Sequence, residues 1–296
     1  MWVLTSAIVY ILPATTKAQL YHPTETSKTI VIAANTQYNK ASAMKRIFLG
    51  DHYRKEWATP VEIPILDMEF FAGGLTPVKV GGGLQTKSLR LKGNDGREYV
   101  LRMVNKDVSK AIVSELRETF AQDIVQDQIS SANPYAPMVV ASLAKAAGIF
   151  HSTPQMVYVP GTERLKEVSQ LFRETVCLIE ERPTDKSGNN EAFGFSNSVV
   201  NTEKLLAKVF KSSDNVVDER SFVKARLFDM LIGDWDRHED QWQWASFKED
   251  DDKTIYKPIP RDRDQAFSSM DGLIPMAVTR KWGIRKIQDF DYTIRD

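Results

Sequence analysis

Polar and apolar side chains alternate along Ser88-Leu89-Arg90-Leu91-Lys92, the period of a half-buried strand. Asn94-Asp95-Gly96 follows as a turn signal, and Glu98 to Val104 returns as the partner strand of a hairpin. Val61 to Leu66 opens this β-rich section, with Gly73-Gly74 and Gly81-Gly82-Gly83 as breakers. The pattern turns helical from Lys110 to Ala132 and is interrupted by Pro134 and Pro137. It resumes from Met138 to Ala147, where Gly148 supplies a helix stop. Gln155 to Pro160 and Thr175 to Glu181 read as strands, and Thr184 to Asn197 as a polar loop. Thr202 to Phe210 is helical. Asp218 then caps a longer helix through Ile232, with Phe222, Ala225, Leu227 or Phe228, and Leu231 spaced for one buried face. Trp242 to Phe247 and Thr254 to Ile259 flank the acidic tip Lys248 to Lys253 as a second hairpin. Strands and helices are segregated, which predicts an α+β fold.

Residues 19–60 are polar and irregular, and are expected to wrap the domain as an extension. Before them, Trp2 to Leu12 is a mostly apolar run, too short to span a bilayer comfortably. Pro13 and Thr16-Lys17-Ala18 follow it, a pattern that fits a secretory signal peptide over residues 1–18, although no Lys or Arg precedes the run. Export is therefore expected. The domain divides into residues 61–182 and 183–296.

Composition changes this picture little. Lys+Arg and Asp+Glu balance at 39 each, and no basic run tracks a nucleic-acid backbone, so a nucleic-acid partner is not expected. Residues 234–252, by contrast, hold eight acids and two Lys/Arg. The lone Cys177 lies in the apolar run Thr175 to Ile179, which makes it a buried strand residue and excludes an intrachain disulfide and a Cys-based zinc site.

The acids gather around two motifs, Gly233-Asp234-Trp235-Asp236-Arg237-His238 and Pro260-Arg261-Asp262-Arg263-Asp264. So much carboxylate at a helix end is costly unless a cation or substrate neutralises it. Phosphoryl transfer needs a backbone cradle, a cation against phosphate, metal-holding carboxylates and a carboxylate beside the attacking hydroxyl. The chain offers each in that order. Gly81, Gly82, Gly83, Gln85 and Lys87 would form the cradle, and Arg102 the cation, with Lys87 and Lys106 as competitors. Asp236 would accept or orient the acceptor proton, and His238 would act beside it or serve as a structural hydrogen-bonder. Gln241, Asp262 and Asp264 would hold Mg²⁺ or Mn²⁺, with salt bridging to Arg261 and Arg263 as the structural alternative for the two acids. Asp250-Asp251-Asp252 lacks Ca²⁺-loop spacing and reads as a solvated turn.

These motifs resemble the atypical kinase group of HipA-type toxin kinases, CotH-type spore-coat kinases, secreted protein kinases and phosphoinositide kinases. Gly83 to Lys87 looks like a G-x-Q-x-K turn, and Leu143 to Ile149 with Pro154 resembles the helix-to-strand step that follows. Ile179 to Arg182 is similar to a hinge that meets adenine, which places Glu181 there. Leu227 to His238 resembles an L-I-G-N-x-D-R-H catalytic loop, and Asp262 to Phe267 a D-x-D-x-x-F metal loop. The likeness spans about residues 75–270 and is nearest to an exported bacterial family of unassigned function, sometimes linked to outer-membrane barrels. It implies a two-lobed kinase-like fold, a β-rich first lobe and a mostly helical second one. Only 32 residues follow Asp264, short of a complete second lobe.

The resemblance further implies ATP with Mg²⁺ or Mn²⁺, a protein, lipid or sugar acceptor, and a periplasmic or outer-membrane-associated location. Arg102 stands where Lys is usual, Gln241 where Asn is usual, and no single acid among Glu115, Glu118 and Asp127 is marked as partner to Arg102. An active phosphotransferase, an inactive pseudokinase scaffold and an AMP-transferring enzyme are the three readings carried forward.

Overall fold

A computed structural model describes residues 28–82, 87–108, 120–161, 167–249 and 253–279. The leader 1–18, Gly83, Gln85, Glu115, Glu118 and the tip 250–252 lie outside the described residues. The fold is mixed α+β.

The amino-terminal segment is more ordered than its polar composition suggests. β1 (Thr29–Ile32) pairs antiparallel with β2 (Val61–Pro64), and α1 (Ala43–Leu49) and α2 (Arg54–Ala58) lie between them. Ser42 caps α1 by accepting from the Lys45 amide. The irregular wrap expected of residues 19–60 is corrected for the described part, because a few anchors bury deeply. Tyr38 and Trp57 pack edge to face, with ring centroids 5.2 Å apart, and Trp57 Nε1 donates to the Ala132 carbonyl at 2.8 Å. Arg54, fully buried, forks onto Asp127 at 2.8 and 2.6 Å.

Five strands then form one antiparallel sheet. They are β3 (Leu75–Gly82), β4 (Lys87–Gly93), β5 (Glu98–Met103), β6 (Gln155–Val159) and β7 (Thr175–Glu181), in the order β3-β4-β5-β7-β6. The expected β4–β5 hairpin forms, with Ser88 opposite Arg102 and Lys92 opposite Glu98. Gly96 turns it at φ 86°, a conformation that favours glycine. Leu89, Leu91, Leu101, Cys177 and Ile179 point to one face and are sealed from solvent.

Two helices follow this sheet's third strand in sequence. α3 (Phe120–Asp127) is the described part of the helix expected over 110–132, and α4 (Ala136–Ala146) ends before Gly148 at φ 63°. Pro137 does not interrupt the helix. It sits in the first turn of α4, where a missing N–H costs nothing.

Among the described residues, the second half is less helical than expected. β8 (Val199–Asn201), β9 (Asn215–Val217), β10 (Trp242–Lys248) and β11 (Thr254–Pro260) form a four-stranded sheet, β8-β10-β11-β9, beside α5 (Thr202–Lys211), α6 (Glu219–Leu231) and α7 (Leu273–Val278). Asp218 caps α6 as expected, accepting from the Ser221 amide at 2.9 Å. The buried face of α6 is corrected. Ala225, Phe228 and Ile232 reach the core with Trp242, Trp244 and Tyr256, while Leu231 is 81% exposed. A step of seven residues from Ala225 returns the helix to Ile232, and Leu231 falls one position short.

Candidate functional site

The end of α6 organises the site. Gly233 takes φ 65° and turns the chain out of the helix. The next amide, Asp234 N, donates to the Asp229 carbonyl at 2.9 Å. Asp229 itself is fully buried, although it sits on the apolar face of α6. Three guanidinium groups compensate it: Arg226 at 3.0 Å, Arg237 at 3.3 Å and Arg263 at 3.0 Å. Arg237 also pairs with Asp234 and donates to the Arg261 carbonyl at 2.5 Å. Asp229 therefore ties together the two loops that carry Asp236 and Asp262. Sequence reasoning missed it. The available signal was a carboxylate at a helix position whose neighbours by one turn are apolar.

Asp236, Asp262 and Asp264 line one cleft of about 360 Å³ together with Arg102, Lys106 and Glu180. Asp262 holds φ 57°, a left-handed conformation that a non-glycine residue adopts only under constraint. Arg102 projects from β5 and bonds both Glu180, at 3.1 Å, and Asp262, at 2.5 Å. Lys106 meets Asp264 at 2.6 Å. Burial works against the charge of Arg102, but Glu180 and Asp262 outweigh it and raise the guanidinium pKa. Lys106 is likewise raised, with Asp264 overcoming the burial. Asp262 is lowered because Arg102, Lys106 and Arg261 overcome its burial. Asp264 is raised, since its burial and the like charge of Asp262 outweigh Lys106. Burial holds Asp234 at about 7 despite Arg237. Arg261 is pulled down to about 10 by burial and by the like charge of Arg102.

Several expected residues lie elsewhere. Glu181 points away from the cleft and accepts from Arg97 at 3.2 Å and Asn190 at 2.9 Å, so Glu180 takes the inward place. Alternation along β7 puts neighbours on opposite faces. His238 is exposed, does not line the cleft, and has Asp240 at 4.0 Å as its nearest carboxylate partner. Gly81 and Gly82 end β3 opposite Ser88 and Lys87, and none of these lines the cleft. Lys87 faces Asp107 at 3.9 Å instead. Asp127 is committed to Arg54 and Lys45 rather than to Arg102. Gln241 is buried outside the cleft, where its backbone carbonyl accepts from the Arg261 amide at 2.9 Å.

The expected metal ligands are only partly brought together, with Asp262 and Asp264 in the cleft and Gln241 outside it. Among the described residues no three His, Cys, Asp or Glu side chains are grouped to hold an ion. Asp262 and Asp264 pair with Arg102 and Lys106, and Gln241 does not line the cleft, its Oε1 buried without a hydrogen-bond partner. Mg²⁺ is commonly held by one or two carboxylates with water and phosphate oxygens, so an ion here would have to draw Asp262 and Asp264 away from Arg102 and Lys106. Neither protein-family models nor curated proteins give a match to the chain.

Proposed function

We propose that the cleft is the nucleotide site of an ATP-dependent phosphotransferase of the protein-kinase-like type, acting on a hydroxyl-bearing protein, lipid or sugar at the cell envelope. The observation that supports it is the meeting of Arg102, Lys106, Asp236 and Asp262, from separate parts of the chain, in one cleft. Their roles divide by partner. Arg102 and Lys106 are cations that phosphate oxygens would recognise. Asp236 is partly exposed at the cleft wall and would take or orient the proton of the acceptor hydroxyl. The cleft volume lies within the range of small-molecule sites.

A second reading, an inactive pseudokinase scaffold, draws on one specific observation. Asp262 and Asp264 are neutralised by the protein's own cations, and Gln241 does not join them.

Thermal denaturation with ATP, with Mn²⁺ and with both tests these readings. The phosphotransferase reading expects the midpoint to rise with ATP, the rise to fall away in Arg102→Gln, and mass spectrometry after incubation with candidate acceptors to show added phosphate. A midpoint that moves with ATP, with no transfer product and no loss in Asp236→Asn, favours the scaffold. An AMP adduct instead of phosphate would point to nucleotidyl transfer. A midpoint that ignores ATP altogether refutes nucleotide binding.

A further inference from the structure

We propose that Arg261 is the floor of an anion site that takes a phosphate group of the ligand at the end of the cleft next to residues 180–182.

Arg261 follows directly on β11, and its backbone is pinned on both sides. Its amide donates to the Gln241 carbonyl at 2.9 Å, and its carbonyl accepts from Arg237 at 2.5 Å. The side chain is thereby directed into the wall between two chambers. One is the 360 Å³ cleft described above; the other, of about 670 Å³, opens beside Arg90, Arg182 and Lys204. Arg261 lines both.

Its charge is poorly met there. Nε is sealed from solvent and has no hydrogen-bond partner. Buried polar groups without a partner are rare, and a charged one calls for an acceptor that the folded chain does not supply. Glu180 and Asp262 face it, but both already bond Arg102, and the guanidinium groups of Arg102 and Arg182 repel it. The carboxylates of the second chamber do not repair this. Asp185, Glu203, Glu239 and Asp240 are exposed, where water and salt screen them, and Asp185 already accepts from the Val199 amide at 2.7 Å. A phosphate group would bring several acceptor oxygens to a guanidinium whose facing carboxylates are shared with Arg102, and the planar fork of Arg matches it.

The inference stands on charge and hydrogen-bond geometry, and holds whether or not the protein transfers phosphate. It also alters what the ligand must look like. The segment 179–182, by resemblance an adenine-facing hinge, would sit over an anion rather than over a neutral ring.

Isothermal titration of the full chain with pyrophosphate, in EDTA, tests it. Metal-free binding is expected, weakened by about tenfold or more in Arg261→Gln and severalfold in Arg182→Gln. Adenosine is expected not to compete. Arg261→Lys, which keeps charge but not the fork, should fall between, and with Arg182→Gln it decides the matter if Arg261→Gln does not fold. Absence of pyrophosphate binding, unchanged affinity in the Arg261 and Arg182 variants, or displacement of pyrophosphate by adenosine would each overturn the proposal. Pyrophosphate binding without ATP-dependent transfer would leave the anion site in place and remove the phosphotransferase reading alone.

Discussion

Asp127→Asn is the sharpest test of how the amino-terminal segment is held to the rest. Asp127 is 3% exposed and Arg54 is fully buried, joined by two short bonds, with Lys45 adding a third contact at 2.8 Å. Asparagine keeps the shape and removes the charge. Arg54 would be left buried without a counter-charge, with the asparagine Oδ1 and the carbonyls of Gly50, at 2.9 Å, and Tyr38, at 3.2 Å, as neutral acceptors. Removing one member of a buried ion pair costs about 3–5 kcal/mol. Those two carbonyls, and the exposure that lets Lys45 return to water, put this case at the lower end, about 3 kcal/mol. In a chain of this size that lowers the thermal midpoint by roughly 6–12 °C. Replacing both members, Arg54→Met with Asp127→Leu, leaves no orphaned charge and is expected to cost less than the single change. Urea unfolding followed by tryptophan fluorescence measures all three proteins. A loss below about 1 kcal/mol in Asp127→Asn, or a double variant weaker than the single one, would refute the reasoning. The pH dependence gives an independent check. Burial alone would raise the Asp127 carboxyl, but Arg54 and Lys45 outweigh it and hold it below 3.8. A depressed folded value stabilises above the unfolded pKa and is lost as pH falls through the folded one. The gap between wild type and Asp127→Asn should therefore close in acid, below about pH 4.

Two further outcomes follow from burial. Asp234 sits at about 7 in the folded chain against 3.8 in its absence, so its contribution is full below pH 3.8 and is lost as pH rises toward 7. Asp234→Asn should gain on wild type between about pH 4 and pH 7 and then hold level; thermal midpoints that differ equally at all pH would contradict this. Cys177 is sealed in β7 with its thiol pushed up to about 12 by burial, so a thiol reagent should label it only on unfolding, and rapid native labelling would show the strand to be open.

What the sequence revealed, it revealed through local rules. The Asn94 to Gly96 turn and the alternation on either side define the β4–β5 hairpin, and Asp218 marks the start of α6. These signals act over a few residues, and the structure keeps them. The errors share a different cause. Glu180 and Glu181 alternate faces on any strand, and only tertiary packing decides which face meets the cleft. Arg54 and Asp127 are 73 positions apart, so nothing local announced that the polar segment 28–60 was anchored. Leu231 looked inward by spacing, yet Asp229 took the buried side because Arg226 of the same helix and Arg237 and Arg263 from two loops converge on it.

The same reasoning bears on the acidic centre. The motifs indicated that Asp236 and Asp262 would meet, and they line one cleft. They did not indicate what would neutralise the acids, because the sequence assigns no partner to a charge. Buried carboxylates need compensation in every state of the protein. Here Arg102 and Lys106, the cations expected to face a ligand, supply it to Asp262 and Asp264. A phosphate ligand must therefore compete with those carboxylates, and its affinity is the difference between two ion pairs rather than the strength of one. Arg261 is placed differently. Its Nε has no hydrogen-bond partner, and the carboxylates that face it, Glu180 and Asp262, already bond Arg102, so an anion at Arg261 breaks no direct ion pair of its own although it meets the charge of both. In the proposed site, a phosphate at Arg261 would leave the Arg102–Asp262 and Lys106–Asp264 pairs intact, whereas one placed at Arg102 or Lys106 would have to break them.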